Sequence, residues 1–262
     1  MFYQLTNQKR SNDAHVIQVT KEKIEKYNRL DVTVAEFGTR RRHSYSVHRL
    51  VMQALKQYGG KSFVGSSNVH LAMLNEVKPI GTHAHEWFML HAAKYGFKMG
   101  NSLGLDNWVK VYRGDLGIAL SDTYTTKVFY EQFDRMFAKL FDGVRHDSGD
   151  ANEFAKKTID HYQNLGIDPM SKTIIFSDAL NYDKVARIAA YCRGRIGMSF
   201  GIGTNLTNDV GLTPMNIVMK MVEAFPDEGE WTPVVKLSDE RGKYTGEQKM
   251  IDLAKTVLHI QN

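Results

Sequence analysis

Seven short apolar runs in this 262-residue chain each break off into a burst of polar, chemically capable side chains. Residues 32–38 run into Thr39, Arg40, Arg41 and Arg42, and residues 62–65 into Ser66, Ser67 and Asn68. Residues 78–82 end on His83, Ala84, His85 and Glu86, and residues 116–120 on Ser121, Asp122, Thr123 and Tyr124. The pair 143–144 gives way to the stretch Arg145 to Asp150, residues 173–176 to Ser177 and Asp178, and residues 198–202 to Gly203, Thr204 and Asn205. Parallel α/β enzymes carry their chemistry on the loops that follow the C-terminal ends of their strands. The pattern therefore constrains both the architecture and the surface on which a site would lie.

Between these runs the hydrophobic spacing is helical. A helix, or helix plus linker, is expected over 1–30. Strands near 32–38, 62–66, 79–82, 116–121, 143–146, 173–177 and 197–201 alternate with helices over 43–58, up to about 75, 85–95, 102–112, 124–140, 150–164 and 181–193. Gly59 and Gly96 give C-terminal stop signals. Several strands carry polar ends pointing one way, with no visible reversal, which favours a barrel over an open sheet. Seven strands are visible where a complete barrel has eight, so the expected fold is an α/β, irregular or incomplete (β/α) barrel. Residues 216–225, a turn at 226–229 and residues 232–239 read as an antiparallel hairpin, and 246–258 as a terminal helix. The expected division is a helical lead-in over 1–30, a barrel-like catalytic domain over 31–212 and a C-terminal hairpin and helix over 213–262.

The composition, 42% hydrophobic and 24% charged, is that of a globular domain with a sizeable core. No apolar stretch is long enough to span a bilayer, and residues 1–11 lack the apolar centre of a signal peptide, so no membrane association is expected. The single cysteine, Cys192, excludes an intrachain disulfide and fits a cytoplasmic location. The formal net charge of +5 is partly concentrated at Arg40, Arg41 and Arg42. No basic stripe with interleaved aromatics accompanies it, so nucleic acid is not an expected partner. A solvated basic face and a site for a small, multiply charged anion remain as readings.

Each burst has a plain reading and a chemical one. Gly201 to Asn205 could be a tight turn, or a loop whose backbone N–H groups cradle a phosphate. Asp147, Ser148 and Asp150 could cap a helix, while a carboxylate at a strand end also suits a ribose diol. Asp122 and Asp178 repeat that theme. His83 and His85 could be rim histidines. Neither HExxH nor a nearby cysteine supports zinc, so no direct metal ligation by protein is expected. A reactive histidine oriented by a carboxylate is the chemical alternative. Phe37 beside Arg40 offers an aromatic face and a guanidinium, suited to a flat acid.

Taken in order and spacing, the bursts at 37–42, 63–68, 81–87, 119–124, 145–150, 176–180 and 199–205, with Val235 to Asp239, resemble nicotinate phosphoribosyltransferases from about residue 30 to the C-terminus. The resemblance implies an irregular barrel of the type II phosphoribosyltransferase kind joined to a second domain, of which 1–30 and the C-terminal hairpin would be parts. It also implies a homodimer with active sites at the subunit interface. The implied reaction joins nicotinate to 5-phosphoribosyl 1-diphosphate, giving nicotinate mononucleotide and diphosphate in NAD salvage. ATP is implied as co-substrate through a phosphohistidine, with Mg²⁺ accompanying the diphosphate and ATP. His85 matches the family's phosphohistidine, and His83 falls at a variable position. Phe37 would face the pyridine ring, Arg40 phosphate or diphosphate, and Arg145 the base. Asp147 and Asp178 would hold the ribose hydroxyls with Asp122 nearby, and Gly203 and Thr204 the 5-phosphate. Ser67 stands where amide-using relatives carry an acid. Nicotinamide- or quinolinate-type transfer is the alternative within the fold, and a non-catalytic remnant acting in assembly is the alternative outside it. Family members are longer at the N-terminus, so a fragment, a truncated product or one part of a two-chain enzyme is expected.

Overall fold

The computed structural model describes residues 10–226, 229–240 and 242–260. The chain divides into two compact units. The first comprises Met1–Gly81, Phe176–Arg193 and Met198–Val218, and the second Thr82–Ile175, Gly194–Gly197 and Met219–Asn262.

In the first unit, helix α1 (Asp13–Leu30) starts at Asn12, whose side chain accepts from the His15 amide. It stops at Asp31, which adopts the left-handed conformation. Val16, Thr20, Ile24 and Tyr27 recur at helical spacing and are buried on one face. That face packs against α2 (Tyr45–Tyr58), which Ser44 caps and which buries Val47, Val51, Met52 and Leu55. Burying a side chain of this size contributes roughly 1.5–3 kcal/mol. Strand β1 (Val34–Glu36) pairs in parallel with β2 (Phe63–Ser66) and with β6 (Gly197–Ile202). Helices α3 (Val69–Leu74), α9 (Tyr182–Cys192) and the single turn α10 (Thr204–Thr207) complete this unit.

The second unit holds α4 (His85–Tyr95), α5 (Phe97–Tyr112), β3 (Ile118–Leu120), α6 (Thr126–Gln132), α7 (Arg135–Leu140), β4 (Gly143–His146) and α8 (Ala151–Asn164). It also holds most of β5 (Thr173–Phe176), and its strand order is β5-β4-β3, with β3 and β4 parallel. Helices α4 and α5 approach closely because Gly100 and Gly104 line the contact. A Cβ on Gly104 would lie 2.7 Å from the Phe88 ring. The pair β7 (Glu223–Ala224) and β8 (Thr232–Pro233) is antiparallel, and Ala224 and Val234 pack on Met89 of α4. Helix α11 (Gln248–Val257) rests on α5. The turn expected between the two tail strands includes residues 227 and 228, which lie outside the described residues, as do residues 1–9 of the expected leading helix.

The α/β class with parallel strands is the one read from the sequence. Two expectations need correction. The run at 79–82 is not a strand but a single parallel bridge, Ser66 with Pro79. Ser66 N donates to Lys78 O and Ile80 N to Ser66 O, but the next donor, the Asn68 amide, turns to Ser66 Oγ as Asn68 caps α3, so the pairing goes no further. The helix expected over 124–140 is two helices, because Asp134 accepts from the Phe137 amide and starts α7 afresh. No helix among the described residues is long and apolar enough to cross a membrane.

Candidate active site

In the second unit, four of the expected site residues converge. His85 is the first residue of α4 and is buried. Its Nε2 lies 3.1 Å from Asp147 Oδ2 and 3.7 Å from Asp122 Oδ1, and its Nδ1 lies 3.0 Å from Thr123 Oγ1. Asp122 and Thr123 follow β3, and Asp147 follows β4, so two strand ends supply the groups that hold one imidazole. Arg145 donates to Asp147 Oδ1 at 2.6 Å and to Thr82 Oγ1 at 2.9 Å. Burial lowers the His85 pKa, and this outweighs the opposing hydrogen bond to Asp147 and the charge of Asp122. Burial thus favours the neutral ring, which keeps a lone pair.

The carboxylates divide their work. Asp150 is the helix cap, accepting from the amides of Asn152 and Glu153 at 2.9 and 2.8 Å. Asp147 pairs with Arg145 and His85 instead. Ser148 Oγ donates to Asp122 Oδ2 at 2.6 Å, and Lys236 Nζ lies 3.7 Å from the same oxygen. His83, two residues from His85, is a core residue. Its ring centroid lies 5.1 Å from that of Phe88 and 4.2 Å from that of Trp108.

His85, Asp122 and Asp147 bring one ligand atom each within 4.8 Å of one another, close enough to meet a common cation. Asp122 Oδ1 is buried and accepts no hydrogen bond among the described residues, which leaves one oxygen able to meet a cation. Arg145 and Lys236 already face the two carboxylates, and Mg²⁺ prefers oxygen ligands and retained waters. The donors suit an ion that keeps other oxygen ligands and do not form an all-protein cage.

The first unit gathers the other expected residues on four loops. Phe37 is half-buried; its amide donates to Ile202 O at 2.8 Å, and its ring lies against Gly201. Gly38 is pressed on Thr207, whose hydroxyl donates to Gly38 O at 3.2 Å. Gly203 sits where α10 begins, so the Phe37 loop and the Gly203–Thr204 turn are knitted together. Asn205 of that turn donates to Leu180 O, which brings in the loop of half-buried Asp178. Exposed Arg40 donates to Ile217 O at 3.0 Å. Ser67 follows β2, its amide donating to Glu36 O at 2.8 Å.

Sequence reading missed Glu36, Thr123, Lys236 and Asp239. Glu36 is fully buried; it accepts from the Gly38 amide and the Ser66 hydroxyl, and its Oε2 is 2.9 Å from His48 Nε2. It thereby fixes the starts of the Phe37 and Ser67 loops together. Its signal was a charged residue inside an apolar run, as Lys236 is in the run at 234–237.

The chain matches the model of the nicotinate phosphoribosyltransferase (NAPRTase) family over residues 32–262. It is 62% identical to a nicotinate phosphoribosyltransferase of Chromohalobacter salexigens over 98% of this chain and 66% of that one. It is 46% identical to that of Desulforapulum autotrophicum over 95% of this chain and 64% of the relative. A crystal structure of nicotinate phosphoribosyltransferase from Porphyromonas gingivalis superposes with a TM-score of 0.95 at 45% identity, covering 99% of this chain and 67% of that one. The chain thus spans between about half and two thirds of the length of the curated relatives it matches.

Proposed function

Because the chain belongs to the nicotinate phosphoribosyltransferase family, we propose that it carries the phosphoribosyl-transfer centre of such an enzyme. The reaction would join nicotinate to 5-phosphoribosyl 1-diphosphate, giving nicotinate mononucleotide and diphosphate, with ATP as co-substrate. The observation that carries this reading is the clamp on His85, one ring nitrogen at Asp147 and the other at Thr123, in a chain whose relatives bear that name. The relatives' names favour nicotinate over an amide or dicarboxylate base.

In this reading each group has work that its surroundings suit. Asp147 accepts the proton of His85 Nε2 and keeps the lone pair on Nδ1. A neutral imidazole can then attack the γ-phosphorus of ATP: an N–P bond forms, the P–O bond to ADP breaks, and ADP leaves with the electron pair. Arg145 and Lys236 offset the negative charge that a phosphoryl group would add beside Asp122 and Asp147. Asp147 and Asp178 hold ribose hydroxyls, with Asp122 nearby, while the turn at Gly203 and Thr204 meets the 5-phosphate. Phe37 stacks on the pyridine, Arg145 meets its carboxylate, Arg40 meets phosphate or diphosphate, and Ser67 adds no negative charge near the base. When bound, Mg²⁺ neutralises the diphosphate as it leaves. A cytoplasmic homodimer with its sites at the subunit interface belongs to the same reading, as does a catalytic region over 31–212 followed by a C-terminal hairpin and helix.

The test is incubation with ATP labelled at the γ-phosphate, then assay for nicotinate mononucleotide. His85→Ala is expected to abolish protein labelling and ATP dependence while slow, uncoupled synthesis persists. Full ATP-dependent turnover in that variant would sink the assignment.

A further inference from the structure

The stretch Leu237 to Asp239 lies in the part of the chain that matches the family but has no task in the reaction just described, and with Lys236 it meets Thr123, Thr126, Ser148 and Asp122 beside His85. The Leu237 amide donates to Thr123 O at 2.8 Å. Two residues on, the Asp239 carboxylate accepts from the Thr126 amide at 2.8 Å and also from the Thr126 hydroxyl. The turn 123–126 is therefore held at both ends by one short segment. Between those ends Thr125 has φ 75°, a conformation that costs a β-branched residue of order 1–3 kcal/mol and persists only where neighbours enforce it. Thr123, at the start of this strained turn, carries the hydroxyl that meets His85 Nδ1. The same segment reaches the opposite side of the imidazole. Ser238 Oγ donates to Ser148 Oγ at 3.0 Å, and Ser148 in turn donates to Asp122.

We propose that Asp239 is a positioning residue for His85, acting through Thr126 and the strained Thr125 turn to aim the Thr123 hydroxyl at Nδ1. In this role Asp239 acts on the imidazole through the turn. Without its grip Thr125 relaxes, Thr123 withdraws, and the imidazole loses the contact that orients one face of its ring. The catalytic consequence rests on the reading of His85 as the phosphoryl acceptor; the geometric one does not.

The experiment uses the full chain, uniformly ¹⁵N-labelled, and reads the two ring nitrogens of His85 by long-range proton–nitrogen NMR, beside the rate of His85 phosphorylation from ATP. Asp239→Ala removes both acceptors. Thr126→Val removes only the hydroxyl and retains the amide bond, which guards against loss of the fold, and Thr126→Ser restores the hydroxyl. Both Asp239→Ala and Thr126→Val are expected to shift the His85 Nδ1 signal and to slow phosphorylation about tenfold. Thr126→Ser is expected to recover the wild-type signal and rate. An unshifted His85 ring in folded Thr126→Val, or a Thr126→Ser protein that behaves like the valine variant, would overturn the positioning role. If the wild-type chain takes no phosphoryl group from ATP while the ring signals respond as expected, the functional reading fails and the positioning stands.

Discussion

Phe37 occupies the space that a side chain at Gly201 would need: an ideal Cβ there would stand 2.6 Å from Cδ2 of the ring. Strand β6 is thus glycine at this point because β1 sends an aromatic residue across it. Gly201→Ala is expected to push the ring aside. If Phe37 stacks on the pyridine, KM for nicotinate rises roughly tenfold, equivalent to about 1.4 kcal/mol, while phosphorylation of His85 continues. Steady-state kinetics with nicotinate varied would check this, and an unchanged KM would remove Phe37 from the base site.

The surroundings of His85 select which nitrogen reacts. Nε2 faces two carboxylates, which repel an incoming phosphoryl group, whereas Nδ1 faces a neutral hydroxyl. The phosphoryl group is therefore expected on Nδ1. Phosphorus NMR of the labelled protein, set against authentic Nδ1- and Nε2-phosphohistidine, distinguishes the isomers. A signal at the Nε2 position contradicts the assignment of the proton to the Asp147 side.

Gly65 is fixed by both conformation and space. Its φ is 143°, and a Cβ would lie 2.1 Å from Lys78 O, against the run that forms the Ser66–Pro79 bridge. Gly65→Ala is expected to destabilise the protein by about 2–3 kcal/mol. Urea titration measures the loss, and a midpoint within error of wild type would show that the backbone yields more easily than this contact implies.

His83 makes the fold sensitive to acid. Burial among Phe88, Trp108 and Phe141 lowers its pKa from 6.5 to about 3. The unfolded chain binds a proton below pH 6.5, whereas the folded state resists one until about pH 3. Stability from this residue is hence lost as pH falls through that window, by up to about 5 kcal/mol. His83→Leu should flatten the slope of unfolding free energy against pH between 6 and 4. An equally steep slope in the variant would place the acid sensitivity elsewhere.

Much of the fold was legible because strand ends and helix caps are local. Asn12, Ser44, Asp150 and Asn181 sit beside the helices they start, and helix His85–Tyr95 has the bounds its spacing suggested. The failures are equally local in cause but depend on competition. The Asn68 amide goes to the Ser66 hydroxyl instead of extending the bridge to Pro79, and Asp134 lies inside a helical pattern that its own side chain interrupts. The partners of His85 were illegible for a different reason. Asp122, Thr123 and Asp147 lie 37, 38 and 62 residues away from it in the chain.

What the sequence determined by itself was the inventory and its alternation: apolar runs long enough for strands, amphipathic stretches long enough for helices, and a polar burst after each run. These follow from the side-chain periods of strand and helix, which a chain carries without knowing its neighbours. Only the tertiary structure decided what each burst does. It made Asp150 a cap and Asp147 a partner of His85, buried His83 in a cage of rings, and turned the segment from Lys236 to Asp239 toward the imidazole. The physical reason is that a carboxylate or imidazole acquires its role from the charges, donors and solvent within a few ångströms, and packing alone sets those.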